Sequence, residues 1–334
     1  MTDILKLTRD NRKIIVEKIG NVLKNSGVAI IPTDTVYGIV CNGEDDTAKT
    51  YIYTIKNRPE HKPLIAFVRD IEQANKIAYI QQSSLNFVSN RWPGKNTFIF
   101  KSKIKSKYIV SSDNTIGIRI PDFDLINHLT SIFPYLASTS ANISFRGSTS
   151  SIDEVEPELI NSVQLVVDAG KLYGKESAIW DTTTSLPKLI RGKVLFVCSG
   201  NSCRSPMAQC ILKHIIGNQL IDVISAGTSV IKENPSLESI VVMKEIGLDI
   251  SNFTTNILTA DIIDSSDIIF AMEDRHRNII LEMSPSCYDK ITVLNIPDPA
   301  GKDISYYREI RDIISDKIKT QVLTRIKNEN RDSK

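Results

Sequence analysis

Apolar positions along this chain switch repeatedly between helical and alternating spacing, and that rhythm predicts an α/β protein of two units. Helical spacing over residues 10–24 gives way to a strand at 28–32, which runs into a loop bearing threonine and tyrosine. Strands and helices then alternate. Residues 160–168, 178–181 and 188–190 are expected to close the first unit as strands, with Gly192-Lys193 as the join. In the second half, apolar runs at 194–197, 222–225, 267–271 and 291–294 predict a doubly wound, four-stranded parallel sheet. A helix over 306–326 would complete it, followed by a polar tail at 327–334. The expected domains are thus 1–192 and 193–326, which suits a length of 334 residues. Gly147 with residues 148–151 reads as a mobile loop or as plain linker.

The run Val194-Leu195-Phe196-Val197 delivers Cys198 into the polar turn Ser199-Gly200-Asn201-Ser202-Cys203-Arg204, ahead of Ser205-Pro206-Met207-Ala208. Serine suits a helix N-cap and proline the first helical position, so the turn would sit at a helix N-terminus with backbone N–H groups facing one centre. Such a centre favours an anion and lowers a thiol pKa. Arg204 could grip two phosphate oxygens while Cys198 attacks phosphorus as thiolate. Spacing alone also allows a buried cysteine near a solvated arginine. With Gly200-Asn201 inside the turn and Ser205-Pro206 after it, the segment resembles the low-molecular-weight protein tyrosine phosphatases and their protein-arginine-phosphatase relatives. Ser225-Ala226-Gly227-Thr228, Asp267-Ile268-Ile269-Phe270-Ala271-Met272 and Pro297-Asp298-Pro299 extend that resemblance over residues 194–323. It implies Cys198 as nucleophile, Arg204 as transition-state stabiliser and Asp298 as general acid, with Asn201, Ser202 and Ser205 shaping the loop. Ser202 is a small hydroxyl residue, as in the arginine-specific branch, where the tyrosine-specific branch usually carries a bulky aliphatic one. Ala300-Gly301 stands where both branches generally place an aromatic wall.

The first half carries Ile31-Pro32-Thr33-Asp34-Thr35-Val36-Tyr37-Gly38, Lys56-Asn57-Arg58-Pro59, Arg91-Trp92-Pro93-Gly94, Ile118-Arg119-Ile120-Pro121 and Ser138-Thr139-Ser140-Ala141-Asn142. Taken singly these are a charged helix end, a core tryptophan before a turn, and caps or turns. In this order they resemble the threonylcarbamoyl-AMP synthases of the YrdC and Sua5 type, with Glu176-Ser177-Ala178 and Leu189-Ile190-Arg191-Gly192 as further matches. The resemblance implies a nucleotide-binding fold in which Lys56, Arg58, Lys62, Asn142, Ser150 and Arg191 face ATP. It places Thr35, Arg119, Ser140 and Ser177 toward threonine, Ser140 also belonging with Asn142 to the Ser-x-Asn nucleotide signature. The sequence departs from the family at Lys62, Phe67, Lys95-Asn96-Thr97 and Ala178.

Composition adds few constraints. Hydrophobic residues make up 41%, and 41 basic against 39 acidic residues leave +2, without the charge excess of a strong nucleic-acid binder. The chain opens Met1-Thr2-Asp3-Ile4 with no basic-then-apolar leader, and no apolar run nears the ~20 residues of a membrane span, so a cytoplasmic enzyme with no membrane association is expected. Five cysteines lack a disulfide framework, though Cys203 could capture an oxidised Cys198 or simply pack in the loop. Four histidines form no ligand spacing, so no resident metal is expected and magnesium would arrive with ATP. A fused bifunctional enzyme is therefore expected. Threonine, bicarbonate and ATP would yield threonylcarbamoyl-AMP for a tRNA-modification transferase complex downstream, and a phosphoprotein would lose its phosphate. An RNA-binding YrdC-like module fused to a tyrosine phosphatase is the alternative. Arsenate reductases share the cysteine turn but use a downstream cysteine pair, and only Cys287 follows Cys210.

Overall fold

The computed structural model describes residues 2–143, 147, 149–217 and 220–326. Ser148 of the expected loop and the expected tail 327–334 lie outside them. Two compact units emerge, Met1–Pro187 and Lys188–Lys334.

In the first unit, strands β1 (Asp3–Lys6), β2 (Ala29–Ile31), β3 (Gly38–Asn42), β4 (Ile65–Phe67), β5 (Ala78–Tyr79), β6 (Asn96–Ser102), β7 (Thr115–Arg119), β8 (Leu136–Ser140), β9 (Leu165–Asp168) and β10 (Ala178–Asp181) form a mixed sheet. Its order is β1-β9-β2-β3-β8-β4-β7-β6-β10, with β5 on β6. Helix Arg12–Lys24 lays Ile15, Val16, Ile19 and Leu23 against Ala29, Ile31, Val40, Leu165 and Val167, the one-face pattern that helical spacing predicts. It begins at Arg12 rather than residue 10 because the Asn11 amide is spent on the Lys6 carbonyl and the Thr8 N–H, which hold that turn outside the helix. Residues 160–168 are not one strand. Pro157 opens a short helix, Pro157–Asn161, and the strand starts only at Leu165. Residues 149–151 are tied down rather than loose: Thr149 donates to the Ala141 carbonyl, and the Ser150 N–H and hydroxyl bond Glu154.

The second unit is a parallel sheet, β11 (Lys188–Cys198), β12 (Ile221–Gly227), β13 (Ile268–Ala271) and β14 (Ile291–Val293), in the order β12-β11-β13-β14. Side chains alternate across it. Leu195, Val197, Ile269 and Ala271 face Ile263 and Ile280 on one side, while Phe196 and Phe270 stack with centroids 5.4 Å apart on the other. The expected strand at 188–190 is not separate from the run at 194–197. Lys188–Ile190 runs on into β11, the Leu189 N–H bonds the Arg325 carbonyl at 2.8 Å, and the Gly192 N–H bonds the Leu220 carbonyl at 3.2 Å. The closing helix starts earlier than expected, at Ile304, because Asp303 caps it through the Tyr306 N–H. After Lys317 it widens into a π-turn, Ile318–Val322.

Candidate active sites

In the first unit the strand ends gather the residues singled out in the sequence. The register pairs Gly38 of β3 with Ser140 of β8, and Phe67 of β4 with Arg119 of β7. This brings the Thr33–Tyr37 loop beside both Ser140 and Arg119. Arg119 is 2% exposed; its Nη1 donates to Thr35 Oγ1 at 2.9 Å, its Nη2 to Asp34 at 2.5 Å and its Nε to the Gly94 carbonyl at 3.0 Å. The Phe67 ring lies under the guanidinium, 5.8 Å from it. Ser177 meets Thr97 of β6, hydroxyl to hydroxyl at 2.9 Å.

Lys56 caps helix Asp46–Ile55 and is 1% exposed, with Nζ donating to the Ser140 and Asn142 carbonyls. Asn57, at φ +48°, turns the chain so that Arg58 points back, donating to Thr139 Oγ1 and to the Lys62 and Pro63 carbonyls. Burial, helped by the Arg58 charge, brings the Lys56 pKa down to about 7, against the opposing pull of Glu156 and Glu176. Lysine, arginine, amide and hydroxyl groups suit phosphate oxygens rather than a metal ion. Among the described residues no three His, Cys, Asp or Glu side chains converge as a ligand set.

The segment before Ser177 ties these groups together. The Leu172 N–H bonds the Ser150 carbonyl at 2.7 Å, and Gly174 crosses Thr35 so closely that a Cβ there would lie 2.2 Å from the Thr35 oxygen. Arg191 is the exception. It lies in β11, which belongs to the second unit.

In the second unit Cys198 ends β11 and its turn leads into helix Arg204–Ile216. Cys203, not Ser205, is the N-cap, so Ser205 and Pro206 fall inside the first turn, where Pro206 wastes no N–H. Ser205 is thereby free to approach the nucleophile, with its Oγ 2.9 Å from Cys198 Sγ. Asn201, buried at φ +50°, holds the turn open: its Nδ2 donates to Ser205 and Ser225 Oγ, and its Oδ1 accepts from the Asn256 N–H. Gly227 lets β12 approach, since a Cβ there would stand 2.6 Å from the Ser199 carbonyl oxygen. Burial pushes the Cys198 thiol up, not down as the helix position suggests. Ser205, the charge of Arg204 and the Asn201 N–H pull the other way.

Arg204 is 1% exposed and bonds two acids: Nη1 reaches Glu273 and the Ile296 carbonyl, and Nη2 reaches Asp298. Arg275, at the surface, closes the square on Glu273 at 2.7 Å and Asp298 at 3.1 Å. Burial resists ionisation of Glu273, but the two arginines outweigh it and hold its pKa below the usual range. Cys203 Sγ is turned toward Ser236 Oγ at 3.5 Å and the Tyr307 hydroxyl at 3.7 Å.

Residues 21–192 match the Sua5/YciO/YrdC family model, described as "Telomere recombination", and residues 193–332 match the model for low molecular weight phosphotyrosine protein phosphatase. The chain belongs to both families. Both are families of enzymes. The first unit is similar to a "Putative threonylcarbamoyl-AMP synthase" of Methanocaldococcus jannaschii, 39% identical over 53% of this chain and 84% of that one. The second is similar to an "Arsenate reductase" of Brevibacillus brevis, 34% identical over 38% of this chain and 90% of the relative. The chain covers only 51% of the threonylcarbamoyl-AMP synthases of Pyrococcus abyssi and Bacillus subtilis that it also resembles. A solved Pyrococcus abyssi Sua5 shares the fold, with TM-score 0.54 at 18% identity over 88% of this chain and 98% of that one.

Within the Sua5/YrdC unit, sequence reading missed Gly174. It stands in no distinctive local pattern and matters only through its close approach to the Thr35 backbone. Within the phosphatase unit it missed Glu273, His276 and Asn256. The position of Glu273, just past the carboxyl end of β13, is the signal that could have found it.

Proposed function

We propose that the first unit joins L-threonine, bicarbonate and ATP into threonylcarbamoyl-AMP with release of pyrophosphate, and that the second is a cysteine-dependent protein phosphatase favouring phosphoarginine. The synthase reading is carried by one clustering. The cations Lys56 and Arg58 lie beside Thr139, Ser140 and Asn142, while Thr35, Arg119 and Asp34 form a polar nest between the loop before β3 and the end of β7. The first group suits a triphosphate and the second an amino acid's charged ends. Magnesium would come with the ATP phosphates. The name of the Methanocaldococcus jannaschii relative supports the same reaction. The product would pass to a tRNA-modifying transferase.

In the phosphatase, Cys198 attacks phosphorus while Arg204 and the loop N–H groups hold the equatorial oxygens. A phosphoryl group on Arg204 must displace Asp298 from Nη2, which frees that carboxyl to turn toward the leaving group. Asp298 then protonates the leaving group and afterwards activates water. Ser202 supports phosphoarginine, because its hydroxyl can meet a guanidinium nitrogen where an aliphatic group suits a phenyl ring. Arsenate reduction is disfavoured by Cys287, packed in the core with Leu195, Val197 and Ile280. Two measurements test the proposal. Pyrophosphate release should require both threonine and bicarbonate, and indifference to threonine would sink the synthase reading. Wild type should hydrolyse a phosphoarginine peptide with higher kcat/KM than its phosphotyrosine counterpart, and Ser202→Ile should reverse that order. A phosphotyrosine preference unmoved by the substitution would refute the substrate assignment.

A further inference from the structure

Ser199 and His276 form a polar pair at the cysteine loop that the mechanism above leaves unused. His276 is fully buried on helix Asp274–Met283, and its Nδ1 accepts from the Glu273 N–H at 3.1 Å. A ring nitrogen that accepts a backbone N–H carries no proton, so the neutral ring keeps its proton on Nε2. That atom lies 2.9 Å from Ser199 Oγ, which makes the histidine donor and the serine oxygen acceptor. Burial, with the Arg204 charge beside it, lowers the His276 pKa to about 4 even though Glu273 and Asp298 pull the other way, so the neutral ring persists through the physiological range.

Ser199 is fixed from a second side, its carbonyl accepting from the Ser229 N–H at 2.9 Å. Ser199, Gly200 and Ser202 are the half-exposed residues of a loop whose Cys198, Asn201, Cys203, Arg204 and Ser205 are buried. Of the loop's half-exposed residues, the two that carry side chains are therefore both hydroxyls. With one lone pair taken by His276, the Ser199 oxygen keeps a second lone pair for a guanidinium N–H and its own proton for a phosphoryl oxygen. A phenyl ring can use neither.

We propose that His276 is a positioning residue that orients the Ser199 hydroxyl at the loop opening, and that Ser199 is a second specificity-determining residue beside Ser202, favouring a polar guanidinium over an aromatic leaving group. This rests on the phosphatase reading of the same loop. The test is the ratio of kcat/KM for matched phosphoarginine and phosphotyrosine peptides in the full chain, measured with melting temperatures. Ser199→Ala should lower the ratio about 5- to 10-fold, the effect of one neutral hydrogen bond. His276→Phe should lower it as much, and the double variant no further, since the histidine acts through the serine. His276→Gln, which keeps a donor amide, should restore most of it. A ratio unmoved by Ser199→Ala, or multiplying losses in the double variant, would overturn the proposal. If His276→Phe fails to fold, Ser199→Ala and His276→Gln still decide. A wild type that prefers phosphotyrosine would refute the phosphoarginine reading, whereas this inference stands or falls on the change in ratio alone.

Discussion

Gly174→Ala is the smallest change that should disable the synthase unit. A Cβ at this position would lie 2.2 Å from the Thr35 oxygen, 2.6 Å from its Cα and 2.7 Å from its carbonyl carbon, all of them backbone atoms that no rotamer change can move aside. To restore contact distance the two segments must part by about 1 Å, a misplacement that costs on the order of 10²-fold when it reaches a reacting constellation. Thr35 passes the shift to Arg119 through its 2.9 Å hydrogen bond, and Arg119 passes it to Asp34 and the Gly94 carbonyl. Overpacking of this kind costs roughly 1–3 kcal/mol, so the variant should still fold. Pyrophosphate release with threonine varied should show kcat/KM for threonine down about 100-fold, KM for ATP moved far less, and Tm lowered by several degrees. A threonine kcat/KM within twofold of wild type would show that the Gly174–Thr35 approach does not set the site.

Lys56 gives a pH signature. The ammonium is the phosphate-binding form, and with a pKa lowered to about 7 it is lost as pH rises, so kcat/KM for ATP should fall on the alkaline side; Lys56→Arg should flatten that limb. The domain boundary can be tested by fragments. A chain starting at Lys188 keeps the Leu189 N–H bond to Arg325 and the burial of Leu189, worth about 1.5–3 kcal/mol, and should melt higher than one starting at Lys193, equal melting showing that residues 188–192 add nothing to the second unit. Peroxide should form a Cys198–Cys203 disulfide that dithiothreitol reverses, seen by intact mass. Since Cys203 faces Tyr307 and Ser236, the loop must turn for this, and purely irreversible oxidation would reject the protective role.

What could be read from sequence was what is contiguous. The strand, turn and helix around Cys198 lie within one short segment, and their order follows from local chemistry. The strand ends of the first unit were legible as motifs, but their convergence depends on pairings such as Gly38 with Ser140, between residues far apart in the chain. The glycine inside β11 has a physical cause. Gly192 reads as a break between two apolar runs, yet it is there because a Cβ would meet the Asp267 carboxylate at 2.5 Å, the same carboxylate that accepts the Lys193 N–H. The raised Cys198 thiol was not legible, because burial under β12 and its following loop is a tertiary effect that no local pattern records. Glu273 and His276 act on Arg204 and Ser199 across some seventy residues, so spacing could not link them.

If one chain carries two independent chemistries, crossed inactivation will separate them. Wild type, Lys56→Ala and Cys198→Ser would each be assayed for threonine- and bicarbonate-dependent pyrophosphate release from MgATP, and for phosphate release from a phosphoarginine peptide. Lys56→Ala should lose the first activity, since a charge-assisted contact is worth about 1.5–3 kcal/mol, and keep the second. Cys198→Ser should do the reverse. A wild type with only one of the two activities, or a variant that loses both while still folded, would contradict the account.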